Sequence, residues 1–208
     1  MKKFKNVTSI IVDIPRKNID TDIIIPKQYL KAVTREGFGN FLFDDWRYLE
    51  PGKLSDKKER KKNLDFVLNL DEYSNCEIMV VGDNFGCGSS REHAVWALMD
   101  FGIKVIISTS FADIFYSNCF KNGLLAIILD EKEIKNIKAN GKSYTINLEE
   151  QLIYNNNLKI KFEIDPRKKQ VLIEGLDDIS ETLLLKDKIK NFESKRLKEK
   201  QWLFENKR

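Results

Sequence analysis

The sequence has one histidine, His93, and only three cysteines, Cys76, Cys87 and Cys119, in 208 residues. No C-x-x-C pair occurs, so the chain carries neither a zinc nor an iron–sulfur ligand pattern of its own. A sparse, odd cysteine count fits a reducing compartment better than a disulfide framework. A single histidine argues against a His-based metal site within the chain. Long apolar runs are missing too. Stretches such as Ile78–Val81 and Val105–Ile107 fall far short of the roughly 18–20 residues that a membrane helix needs. Met1–Lys5 is positively charged, but no apolar secretory segment follows it. These absences lead to the expectation of a soluble, cytoplasmic protein with no membrane partner.

A strong charge of either sign is also absent. The net charge is +4, and only 8 of the 36 basic residues are arginine. The lysine runs at Lys57–Lys62 and Lys195–Lys200 interleave glutamate, as solvated surface does. Nucleic-acid binding would need basic and aromatic residues interleaved on one exposed face. An RNA-binding module using the lysine runs stays as the alternative from another class; salt-dependent RNA binding would reveal it.

The chain does have enough apolar residues, 42%, to build a core. Its length suits one domain over 1–208. Thr8–Ile14 alternates and is β-branched, predicting a strand. Ile19–Pro26 predicts a loop or turn. The aromatic cluster Phe38, Phe41, Phe43, Trp46 and Tyr48 reads as core or subunit interface. Glu50–Asn63 is polar and is the expected mobile loop.

The middle of the chain predicts strands at Glu77–Val81, Lys104–Ser108 and Leu124–Leu129, with helices at Arg91–Phe101 and Phe111–Lys121 between them. Gly102 and Gly123 stand where helix-ending glycines belong. That order predicts parallel strands with right-handed crossovers. Beyond Asp130 come a short helix over Glu131–Ala139, then strands at Ser143–Leu148, Lys159–Ile164 and Gln170–Glu174. Asp177–Trp202 reads as one long helical pattern within a C-terminal extension over 177–208.

The segment Asn84–Ala94 carries the chemistry. It joins a buried strand to a helix and reads Asn-Phe-Gly-Cys-Gly-Ser-Ser-Arg-Glu-His-Ala. Glycines permit close backbone approach. A helix N-terminus offers free N–H groups and a positive dipole. Arg91 adds a bidentate donor for a carboxylate or phosphate. Together these features make an anion site with hydroxyls in it. The dinucleotide glycine pattern fails because Arg91 replaces its third glycine, and the Walker and nucleophile-elbow patterns fail as well. Cys87 has no assigned base and is a weak candidate nucleophile. The bland alternative is a capping box, with Ser89 as N-cap and Glu92 at N3. Likewise Asp20 and Asp22 can simply form Asx-type turns.

Gly88–Ala94 resembles the serine-arginine loop of the aconitase superfamily. Within it, Asn18–Leu30, Gly39–Arg47, Asn84–Trp96, Ser110–Phe115 and Leu172–Ile179 resemble the small-subunit family of bacterial-type 3-isopropylmalate dehydratases. The resemblance spans nearly the whole chain in order. It implies an α/β fold, the swivelling β/β/α domain, and hydro-lyase activity in leucine biosynthesis. It also implies a separate large subunit bearing a [4Fe–4S] cluster, with no cofactor bound by this chain. The substrate would be a small dicarboxylate.

By the same resemblance, Ser89 is the catalytic base, Ser90 and Arg91 hold a substrate carboxylate, and Asp22 is an active-site aspartate. Tyr29–Val33 falls at the substrate-specificity loop, where Leu30 or Val33 can contact an isopropyl group. Lys31 and Arg35 keep open a third substrate carboxylate, as in citrate. A sister hydro-lyase acting on methylmalate or another small diacid is the nearer alternative. His93 is expected to make a structural hydrogen bond, and Asp20 has no settled role.

Overall fold

A computed structural model describes residues 1–31, 36–54 and 60–203. Val33, Arg35 and the middle of the Glu50–Asn63 segment lie outside the described residues. Strand β1 (Val7–Ile14) buries Val7 and Ser9 in its first half and Val12 and Ile14 in its second, so the buried alternation changes phase at Ile10–Ile11, where the pairing partner changes. The segment after it is not only a loop. Asp20 caps a one-turn helix, α1 (Thr21–Ile24), by accepting the Ile23 N–H at 2.7 Å. Pro26 follows and prevents any extension. A second short helix, α2 (Asp44–Arg47), lies in the aromatic cluster. Phe38 and Phe43 in this cluster are buried, which makes it core.

The predicted middle is present as β2 (Ile78–Val81), α3 (His93–Phe101), β3 (Val105–Ser108), α4 (Asp113–Asn122) and β4 (Leu125–Ile128). Every residue of β2 and β3 is buried, as expected for parallel strands covered on both faces. Gly102 and Gly123 end their helices at φ 118° and 94°. Then come α5 (Glu131–Ala139), β5 (Ser143–Asn147), β6 (Leu152–Tyr154) and β7 (Lys159–Lys161). The last three helices are α6 (Pro166–Glu174), α7 (Asp178–Leu183) and α8 (Lys186–Glu199).

The strands form one sheet in the order β4-β3-β2-β1-β5-β6-β7. Strand β1 is its seam. Residues Ile11–Ile14 pair in parallel with β2, while Val7–Ile10 pair antiparallel with β5. The sheet is therefore parallel on one side of β1 and a meander on the other.

Two expectations fail in the C-terminal part. Gln170–Glu174 is not a strand but the second half of α6. Asp165 accepts the Lys168 N–H and Pro166 takes the first helical turn, so a strong N-terminal signal outweighs the β-branched residues that follow. Asp177–Trp202 is not one helix. The Leu184 N–H donates to Ser180 and the Leu185 N–H to Thr182, so the turn tightens and α7 stops.

Candidate functional site

The loop after β2 is shaped by three residues of positive φ: Asn84 at 56°, Gly86 at 77° and Gly88 at 91°. At Gly86 a Cβ would lie 2.2 Å from the Phe115 ring, so the backbone is pressed onto α4 and only glycine fits. Asn84 is held twice, donating its N–H to Ser110 Oγ at 2.9 Å and its side-chain amide to Asn18 Oδ1 at 2.8 Å. Ser110 in turn donates to Asp83, and that bond holds the Asp83 carboxyl below its ordinary range.

A second segment runs alongside this loop. Asn18 donates its N–H to the Asp83 carbonyl at 2.9 Å, and Gly86 donates to Ile19 at 2.7 Å. Thr21 donates its N–H to Cys87 at 2.9 Å. The buried Thr21 hydroxyl then meets both sides of Ser89, accepting its N–H at 3.2 Å and donating to its carbonyl at 3.3 Å. Beyond that, the Asp22 carboxylate forms an ion pair with Arg91 Nη1. The two segments thus bring Asp22, Ser89, Ser90 and Arg91 into one place, with Ser89 and Ser90 exposed. The start of α3 lies immediately beyond them, so its positive dipole end faces this group.

The capping-box alternative is not realised. Helix α3 begins at His93, with Glu92 as its cap residue and no side-chain cap bond. Glu92 instead accepts the Asn122 amide at 2.7 Å, and Asn122 accepts the Trp96 indole N–H at 2.9 Å. The Ser89 hydroxyl is therefore not committed to capping. Arg91 Nη1 is buried, and its contact with Asp22 lacks hydrogen-bond alignment. An ion pair without that alignment leaves donor capacity for a further oxygen ligand.

The remaining candidates fall around this group. Leu30 is half-buried and packs against the core. Val33 is outside the described residues. Asp20 is the cap of α1. His93 is placed by rings: its centroid lies 5.4 Å from Phe38 and 4.6 Å from Trp96, and burial pushes its pKa below the ordinary value. Cys87 joins the site through its backbone carbonyl. Cys76 and Cys119 are core thiols, with burial pushing Cys76 up to about 11 and Cys119 well above its ordinary value. Among the described residues no three His, Cys, Asp or Glu side chains gather to hold a metal ion. This donor set does not fit an iron–sulfur cluster.

Sequence reasoning missed two things. One is Thr21, hidden between the two aspartates. The other is a buried ionic knot: Asp44 is fully buried and accepts from Tyr29 Oη at 2.9 Å and from both terminal nitrogens of Arg60. Burial and the Asp44 carboxylate push the Tyr29 pKa up. The knot ties Arg60, inside the expected mobile loop Glu50–Asn63, to α2 before it. A carboxylate among Phe43, Trp46 and Tyr48 is the signal that could have revealed it.

Comparison with known proteins places the chain in a family. The Aconitase C-terminal domain family model matches residues 1–132. The 3-isopropylmalate dehydratase small subunit of Vesicomyosocius okutanii is 52% identical over 204 residues, 98% of this chain and 100% of that protein. That agreement decides the family. The chain belongs to the 3-isopropylmalate dehydratase small-subunit family. The small subunit from Pelagibacter ubique is 50% identical over 210 residues, covering 100% of both chains. The solved structure of 3-isopropylmalate dehydratase (leuD) from Methanocaldococcus jannaschii matches with a TM-score of 0.63 at 29% identity, over 92% of this chain and 99% of that one. The dehydratase small-subunit family is the small half of a two-subunit hydro-lyase, which implies a large-subunit partner. No helix among the described residues is long and apolar enough to cross a membrane.

Proposed function

We propose that this chain, assembled with its large subunit in the cytoplasm, interconverts 2-isopropylmalate and 3-isopropylmalate in leucine biosynthesis. Family membership supports the reaction. The observation that carries the site is the gathering of Asp22, Ser89, Ser90 and Arg91 at the head of α3, with Ser89 free of any capping duty.

The reaction removes a proton from one carbon and hydroxide from its neighbour, then returns both in the opposite sense. Ser89, as its alkoxide, takes the weakly acidic C–H proton. A serine anion needs stabilisation, and the α3 dipole, the glycine-loop amides and Arg91 supply it. On rehydration Ser89 gives the proton back to the other carbon. Arg91 and Ser90 hold a substrate carboxylate, and Asp22 sets the Arg91 guanidinium. A [4Fe–4S] cluster held by the large subunit would supply the Lewis-acid chemistry for hydroxide departure. Leu30 and Val33 offer apolar contact to the isopropyl group.

Chain 1–208 is one swivel domain, and 177–208 is its C-terminal extension. Arg60, within the segment 50–63, is anchored to Asp44. The test is Ser89→Ala in the reconstituted complex. A folded subunit that assembles and turns over at least about 100-fold more slowly is expected. Near-normal kcat would remove Ser89 as the base. Greater kcat/KM on citrate than on isopropylmalate would overturn the substrate assignment.

A further inference from the structure

We infer that Thr21 is a positioning residue for the reaction, fixing the Ser89 backbone so that its hydroxyl stands where the proton is taken. This rests on the reading of Ser89 as base. Thr21 is 1% exposed and is one of few buried polar side chains among the described residues. Its hydroxyl uses both of its capacities on one residue: it accepts from the Ser89 N–H at 3.2 Å and donates to the Ser89 carbonyl at 3.3 Å. The Thr21 backbone N–H is spent on the Cys87 carbonyl at 2.9 Å. One threonine therefore grips the loop at two alternate residues, Cys87 and Ser89.

The loop needs such a grip. Between Cys87 and Ser89 stands Gly88, at φ 91°, a position where the chain is free to turn in several ways. A Cβ added to Gly88 would lie 3.5 Å from Asp20 Cβ and 3.8 Å from Thr21 Oγ1, so α1 passes close against the loop. Downstream, Ser89 is not fixed by a capping bond, because α3 begins only at His93. Between that glycine and the helix start the loop is held by the Thr21 hydroxyl at Ser89 and by the Asn118 amide, which donates to the Ser90 carbonyl at 3.4 Å. Asp20 caps the same turn and Asp22 holds Arg91, so three consecutive residues divide the work of setting the site.

Valine has nearly the same shape as threonine without the hydroxyl, and serine keeps the hydroxyl without the methyl. Thr21→Val, Thr21→Ala and Thr21→Ser would be compared with Ser89→Ala, all as complexes reconstituted with the large subunit. Turnover would be expressed per assembled complex. Small misplacement of a reacting group costs up to about 100-fold in rate. For Thr21→Val and Thr21→Ala a fall in kcat of about 10- to 100-fold is expected, with KM for isopropylmalate within about twofold. Thr21→Ser should restore kcat to within about threefold of the natural chain. In the Ser89→Ala background, Thr21→Val should change the residual rate less than about twofold, because the two act as a unit.

Normal kcat in Thr21→Val alongside an inactive Ser89→Ala overturns the positioning role and leaves the base in place. Near-normal turnover in Ser89→Ala overturns the base and the positioning role together. Failure of both Val and Ala variants to assemble, or an inactive Thr21→Ser, assigns Thr21 to stability alone and overturns the proposal.

Discussion

Asp22 and Arg91 form an ion pair that ties the one-turn helix α1 to the head of α3. Its two side chains are unequal in exposure, 52% for Asp22 and 19% for Arg91. So exposed a pair adds little to stability, about 0–1 kcal/mol. Its worth lies in orientation. Asp22→Asn is expected to shift unfolding by no more than about 1 kcal/mol while lowering turnover of the reconstituted enzyme about 10-fold or more. Arg91→Lys keeps the charge but loses the planar fork, so KM for isopropylmalate should rise about 10-fold or more. Steady-state kinetics beside a denaturation curve checks both. Unchanged kinetics with lost stability would assign the pair to the fold.

Arg60 and Asp44 form the opposite kind of pair. Asp44 is wholly buried, and Tyr29 and Arg60 satisfy its oxygens. Removing one partner strands a charge in the core. Arg60→Ala is expected to destabilise the chain by about 3–5 kcal/mol in urea unfolding. Gly52→Ala should also be costly, because a Cβ there would meet Arg60 Nη1 at 2.2 Å. A loss under about 1 kcal/mol for Arg60→Ala would mean that the knot is solvated.

His93 predicts a pH effect. Its pKa is lowered by burial, with Glu92 raising it and Arg91 lowering it to lesser degrees. The unfolded chain therefore binds a proton at higher pH than the folded chain does. Stability from this residue is complete above the unfolded value of about 6.5 and falls as pH drops through the lowered folded value. His93→Phe, which keeps a ring beside Phe38 and Trp96, should lose less stability between pH 7 and pH 5 than the natural chain does. Equal losses in the two proteins would remove His93 from the acid response.

The cysteines should separate by reactivity. Burial raises the thiols of Cys76 and Cys119, and only thiolates alkylate readily. Cys87 is half-buried in the site loop. With iodoacetamide at about pH 8, Cys87 is expected to label first and the other two only on unfolding, as peptide mass mapping would show. Labelling of Cys119 as fast as Cys87 would mean that α4 opens in the native protein.

The parallel half of the fold was readable because its signals are local. Gly102 and Gly123 end helices where glycine must, and Val105–Ile107 is an unbroken apolar run because both faces are covered. Over Gln170–Glu174 the β-branched Val171 and Ile173 suggest a strand, but the Asp165 cap and Pro166 start a helix that runs through them. Of the site, the residue types were legible and the relationships were not. Ser89 and Glu92 satisfy the spacing of a capping box, yet α3 starts later because Glu92 is drawn to Asn122 on α4. The Thr21 hydroxyl finds Ser89 only through tertiary pairing, which no spacing along one segment reveals.

The seam at β1 sets the order in which this site can come into being. One half of the site follows β1 and the other follows β2, and those strands join in parallel across a long intervening stretch of chain. Closing such a stretch is slow, because chain entropy is lost before the contacts form. Neither half by itself brings Thr21 and Asp22 against Ser89 and Arg91. A peptide spanning Asn84–Ala94 would lack Thr21 and Asp22, and a nascent chain ending before Ser89 would hold them with nothing to grip. Competence to receive substrate is thus acquired with long-range closure, and a chain caught before the β1–β2 pairing exposes serines and an arginine that are as yet ordinary.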